Sequence, residues 1–140
     1  MKKLLIVLAI ISLMGFTFAT GPALAGDLAA KVMVANPYQK LDNKAKVTIV
    51  GTGFKPGQQV SLLFTSADGV QADIGYALKP APKANKIGSW VTTWSCGRFI
   101  KKKLIKKGAY TITVTDSDYN VITHTPVAFY KAKKSKKKKK

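Results

Sequence analysis

Val47-Thr48-Ile49-Val50-Gly51-Thr52-Gly53-Phe54-Lys55-Pro56-Gly57-Gln58-Gln59-Val60 reads as strand, turn, strand. Val47 and Ile49 alternate with Thr48, the two-residue period of a strand with one face in a core. Gly51-Thr52-Gly53 breaks the run. Lys55-Pro56-Gly57 suits a type II turn, because proline fixes φ at the first central position and glycine accepts φ > 0 at the second. Val60, Leu62 and Phe64 then start a new apolar face.

The same period recurs on both sides of this stretch. Val32 and Val34 flank Met33. Val70, Ala72, Ile74 and Tyr76 share a parity opposite Gln71 and Asp73. Trp90, Thr92 and Trp94 line up, as do Tyr110, Ile112 and Val114, and Val121, Thr123, Thr125, Val127 and Phe129. Turn residues separate the runs at Ala67-Asp68-Gly69, at 85–88 and at 116–120. Seven short strands in roughly 100 residues, with no helical period long enough for a βαβ unit, predict an all-β, seven-stranded antiparallel sandwich. Pro126 cannot donate to a ladder, so the last strand needs an open edge or a bulge there.

Val47–Val60, with its Gly-x-Gly-Phe turn and following Pro-Gly, resembles the opening of bacterial immunoglobulin-like domains, including the IPT/TIG kind. Gly88-Ser89-Trp90 resembles their glycine-led entry to a later aromatic strand, and Gly108-Ala109-Tyr110-Thr111-Ile112-Thr113-Val114 resembles their Gly-x-Tyr strand. The resemblance covers about residues 30–130 and implies an immunoglobulin-like sandwich used for surface display, adhesion, polymer binding or spacing. The residues agree: Gly51 and Gly53 relax the turn, Phe54 plugs one end, and the Tyr110 hydroxyl anchors a corner. The segment Arg98–Lys107 departs from the pattern, being longer and far more basic than an ordinary connection.

Two terminal segments stand apart from this body. Residues 1–25 carry Lys2 and Lys3, an apolar run from Leu4 interrupted by Ser12, Gly15 and Thr17, a Gly21-Pro22 break and the small-x-small site Ala23-Leu24-Ala25. That is the pattern of a secretory signal peptide cleaved after Ala25, which predicts a secreted, periplasmic or cell-surface protein. Residues 131–140 hold eight Lys and no acid, a composition that predicts a disordered tail. The expected organisation is therefore signal peptide 1–25, sandwich 26–130 and poly-Lys tail 131–140.

The charge is concentrated. The 140 residues hold 24 Lys+Arg against 6 Asp+Glu, a net charge of +18. Arg98, Lys101, Lys102, Lys103, Lys106 and Lys107 form one acid-free cluster, and Lys131, Lys133, Lys134, Lys136, Lys137, Lys138, Lys139 and Lys140 form another. Outside these two clusters the exported chain is nearly neutral. Clustered lysines attract polyanions at long range, with a steep dependence on salt. They do not choose among lipopolysaccharide, teichoic acid, acidic polysaccharide, phospholipid and non-specifically bound DNA. Sandwich loops add a possible protein or glycan contact. In the 98–107 segment Phe99, Ile100, Leu104 and Ile105 scatter around a helical wheel, so a loop with Ile100 or Leu104 tucked beneath it is expected rather than a membrane helix.

Catalytic groups are scarce. One His, one Cys and no Glu exclude most paired-carboxylate and multi-ligand metal chemistry. His124 falls on the outward parity of its strand and Cys96 on the inward parity of Trp90 and Trp94, so a Cys–His pair is not expected. Asp116-Ser117-Asp118-Tyr119-Asn120 starts like a calcium loop but lacks its Gly and its closing Glu, and reads as a polar hairpin turn. No enzyme activity, cofactor, metal or small-molecule substrate is expected. The function expected is a non-enzymatic immunoglobulin-like module held to an anionic envelope or matrix polymer. The alternative is a subunit of an extracellular filament or coat whose tail serves only solubility.

Overall fold

The computed structural model describes residues 29–134. The leader 1–25 and Lys136, Lys137, Lys138, Lys139 and Lys140 lie outside the described residues. In chain order the elements are β1 (Lys31–Val34), β2 (Tyr38–Lys40), β3 (Lys46–Thr52), β4 (Ser61–Thr65), β5 (Gln71–Asp73), a 3-10 turn (Gly75–Ala77), β6 (Leu78–Lys79), β7 (Trp90–Ser95), α1 (Gly97–Lys101), β8 (Gly108–Thr115) and β9 (Val121–Tyr130).

These strands form a four-stranded sheet, β1-β3-β7-β6, and a five-stranded sheet, β2-β9-β8-β4-β5. With the N-terminal strand split between the two sheets, this is the A-B-E-D and A′-G-F-C-C′ order of an immunoglobulin-like sandwich. Among the described residues there are nine strands where seven were expected. The two extra are β2 and β6, three and two residues long, too short to show a period. The sandwich is also not purely antiparallel. β2 pairs with β9 in parallel, Tyr38 opposite Ala128 and Lys40 opposite Tyr130.

The facing sides of the sheets make one core. Val47, Ile49, Leu62, Phe64, Ile74, Trp94, Ile112, Val114 and Val127 are buried in it, each contributing roughly 1.5–3 kcal/mol of hydrophobic free energy. The expected faces of β3, β4 and β7 are the buried ones. The face assigned to 70–76 is not: only Ile74 is buried, while Val70 and Tyr76 stand out to solvent. β5 is an edge strand of three exposed residues. Val121 is likewise exposed. Val114 pairs with Thr123 but Thr115 with Val121, and this bulge turns the start of β9 over by one residue. Pro126 sits opposite Thr111, where β2 has not yet begun to pair on the other side, the open edge a proline needs.

Gly57 has φ 76° and the Gln58 amide donates to the Lys55 carbonyl at 3.0 Å, closing the expected turn. Gly51 serves differently from expectation. It lies within β3, and a Cβ there would overlap the Trp90 indole. Glycine is needed so that Trp90 can lie flat on the sheet beneath Phe54, whose ring meets it edge-on at 5.5 Å.

Candidate functional site: a basic end of the sandwich

The segment after β7 turns back at once. α1 is one short helix where a loop was expected, and it ends in a recognisable stop. The Leu104 amide donates to the Phe99 carbonyl at 2.9 Å and the Lys103 amide to the Ile100 carbonyl at 3.0 Å, with Lys103 left-handed at φ 60°. This is a Schellman stop, with lysine at the position that usually carries glycine. Phe99 and Ile105 are buried, and Ile100 and Leu104 half-buried. The anchor is therefore Phe99, with its ring 5.4 Å from Trp94 and 6.2 Å from Phe64. Arg98, Lys101, Lys102, Lys103, Lys106 and Lys107 are all exposed.

Two further contacts fix this segment. The Tyr110 hydroxyl accepts from the Lys106 amide at 2.8 Å and donates to the Lys106 carbonyl at 3.0 Å. This is the corner anchor expected of Tyr110, made at the start of β8. At the other end of the segment, Gly97 lies against the loop between β2 and β3, where a Cβ would overlap the Asn43 carbonyl.

That contact brings in lysines the sequence reading did not select. The Cys96 amide donates to the Ala45 carbonyl at 3.1 Å, and Lys46 pairs with Ser95. Lys44, Lys46 and Arg98 line one open cleft of about 530 Å3. The root of the tail arrives at the same end. Phe129 pairs with Gly108, immediately after Lys107, and Lys40 pairs with Tyr130, immediately before Lys131. The Leu41 amide donates to the Tyr130 carbonyl at 2.8 Å, and Tyr38, largely exposed, stacks on Tyr130 at 4.6 Å. Lys131, Lys133 and Lys134 are exposed.

The 98–107 cluster and Lys131, Lys133 and Lys134, separate in sequence, thus share one end of the sandwich, and Lys40, Lys44 and Lys46 join them. The acids at this end are Asp42 and Asp68. The Asp42 carboxylate accepts from the Lys44 amide at 2.7 Å. Asp68 is held below the usual carboxylate range, mainly by the Ser66 hydroxyl, with the Val70 amide and the Lys106 charge adding to it. Asp116 and Asp118 lie at the far end, in the turn between β8 and β9, and Asp73 lies between the two ends, in β5. Beneath the basic end lies an aromatic cluster of Phe64, Trp94, Phe99, Tyr110 and Phe129, with ring centres 4.9 to 6.2 Å apart. The cations are carried on a packed base.

The remaining chemical groups are spent on structure. Cys96 is buried and free; its thiol donates to the Ala45 carbonyl, and burial pushes its pKa up to about 11. His124 is exposed on the other sheet with Nδ1 3.2 Å from the Thr113 hydroxyl, so the two are not a pair. The Asp116 carboxylate accepts from the amides of Asp118 and Asn120 and from the Asn120 side chain, all within 3.0 Å. Those bonds make the hairpin turn and hold Asp116 below the usual carboxylate range. Among the described residues no group of three His, Cys, Asp or Glu is placed to hold a metal.

No family model and no curated protein matches the chain. Among solved structures, it is similar to the tetra-tandem repeat in the extending region of a large adhesion protein. The TM-score is 0.46 and the identity 17%, covering 72% of this chain and 24% of that one. The chain spans about a quarter of that protein's solved length. The immunoglobulin-like assignment rests on the sheet order, not on this likeness.

Proposed function

We propose that this chain is a non-enzymatic, exported immunoglobulin-like module that adheres to an anionic envelope or matrix polymer through its basic end. Membership of the IPT/TIG kind, drawn from the 47–60 stretch, belongs to the same proposal. The observation that supports it is the convergence of three separate basic segments, 40–46, 98–107 and 131–134, on one face. Lysine dominates that face. A compact ammonium on a flexible stem recognises charge density rather than a fixed geometry, which suits a repeating polyanion. Lysines near an anionic surface contribute on the order of 1 kcal/mol each. Lys131, Lys133 and Lys134, at the root of the poly-Lys tail, belong to the same face.

Retention on immobilised lipopolysaccharide, teichoic acid, acidic polysaccharide, anionic liposomes and DNA tests the reading. Retention should be strong at low salt, fall steeply as salt rises and weaken on removal of 131–140. Equal retention of the truncated chain at low salt would remove the tail from the mechanism. The competing reading, a subunit of a filament or coat, needs strand edges long enough to pair. The edge strands β1, β2, β5 and β6 are only two to four residues long, a length that blunts edge-to-edge association.

A further inference from the structure

Beside the lysine face is a smaller cleft of about 240 Å3, lined by Tyr76, Arg98, Phe99, Lys102 and Leu104. Resting on the polyanion reading above, we propose that this cleft takes one pyranose unit bearing an anionic substituent. The sugar ring stacks on Tyr76, and its carboxylate or phosphate is held by Arg98 and Lys102. The polymer is then an acidic polysaccharide.

Three features carry this. Tyr76 is 73% exposed, yet its ring is backed by Phe99 at 6.0 Å with an interplanar angle of 21°. Phe99 is itself locked edge-on between Trp94 and Phe64. The short turn that bears Tyr76 is pinned where the Gly75 amide donates to the Asp73 carboxylate at 2.7 Å. The result is a rigid aromatic plate with one face supported and the other open. The axial C–H bonds of a pyranose carry partial positive charge and seat on the electron-rich face of such a ring.

The second feature is the charge beside the plate. Arg98 is the single arginine of the chain. Its planar guanidinium makes two parallel hydrogen bonds to a carboxylate or phosphate, which an ammonium cannot do. The Lys102 amide donates to the Arg98 carbonyl at 3.0 Å, so the two side chains lie one turn apart on the same side of α1.

The third is size. The cleft is smaller than the roughly 300–1,000 Å3 of pockets that enclose drug-sized ligands. It offers one plate and one charge pair, room for a single substituted ring. Single-stranded nucleic acid is gripped by successive exposed aromatic plates along a groove; the other ring lining this cleft, Phe99, is buried and stacks on Tyr76, so it offers no second open plate.

The test is a titration of the exported chain at on the order of 0.3 M salt, where long-range attraction is screened. The probes are a uronate tetrasaccharide, a phosphorylated oligosaccharide, a neutral tetrasaccharide and an oligodeoxynucleotide of matching charge. Tyr76→Ala and Arg98→Gln should each weaken the acidic saccharides about five- to tenfold. Lys86→Gln, an exposed lysine away from the basic end, should change them less than about twofold, and Tyr76→Phe, which keeps the plate, should retain binding. The uronate and phosphate arms report which substituent is preferred. Unchanged saccharide affinity in Tyr76→Ala, or a larger loss for the oligonucleotide than for the saccharides, overturns the subsite. If low-salt retention on polyanions persists in that case, the broader reading stands without it. If retention is absent as well, both fall.

Discussion

The Tyr110 hydroxyl grips the backbone of Lys106 from both sides, accepting from its amide and donating to its carbonyl four residues upstream. One phenol oxygen thereby ties the end of the basic segment to the first residues of β8. Tyr110→Phe should cost about 1–2 kcal/mol, the net worth of two such bonds. It should also raise hydrogen exchange across 102–107 while leaving β3 and β7 protected. Denaturant unfolding and exchange mass spectrometry read the two effects.

Lys103 occupies a left-handed position that favours glycine. Lys103→Gly should therefore stabilise the fold by up to about 1 kcal/mol. The same change removes a cation and should weaken polyanion retention. Opposite signs in the melting temperature and in the salt needed for elution would show charge kept at a conformational cost.

Phe99 roots the segment in the core. Phe99→Ala should cost about 3–5 kcal/mol and loosen α1 together with Tyr76, which stacks on it. Gly97→Ala should destabilise through a different contact, forcing α1 away from the 41–45 loop. In both variants near-ultraviolet circular dichroism should lose aromatic signal at temperatures where the parent is folded.

Burial raises the Cys96 pKa to about 11, which sets a pH dependence. The unfolded thiol ionises first, so between about pH 8.5 and 11 the unfolded state binds fewer protons than the folded one. Stability should fall as pH rises through that window. Cys96→Ala should flatten the part of the fall due to the thiol, measured by thermal melts across the range. The native thiol should also resist alkylation until the chain is unfolded.

Asp116 shows the reverse sign. Its carboxylate is held below the usual range by Asn120 and the turn amides. Its contribution is present above the ordinary carboxylate pKa and is lost as pH falls through the depressed value. Asp116→Ala should remove that acid dependence and loosen the hairpin at 116–120.

Most of the sandwich is written in local patterning. The faces of β3, β4 and β7 follow from period-two alternation, and Tyr110 from its place after a glycine at a strand start. Exceptions arise where a non-local contact decides. β2 is held by a partner far along the chain, β9, and both β2 and β6 are too short to show a period. Val121 faces out because a bulge, invisible in composition, turns the strand over. The basic residues of 98–107 were legible as a cluster. Their meeting with Lys44 and Lys46 is not, because it depends on β3 pairing with β7 and on Gly97 lying against the 41–45 loop; the meeting with Lys40 depends on β2 pairing in parallel with the end of β9. Parity puts Tyr76 on the core face of its run, whereas in the fold its ring is exposed and stacks on Phe99.

The most direct measurement counts short anionic oligomers bound per chain by titration calorimetry. It compares the chain lacking residues 1–25, the same chain ending at Tyr130, and the same chain with Lys101, Lys102, Lys103, Lys106 and Lys107 changed to Gln. If the segments form one face, the intact protein binds one oligomer and both altered chains bind it more weakly, with shallower salt slopes. Two oligomers per chain, each lost in only one of the altered proteins, would contradict a single basic end.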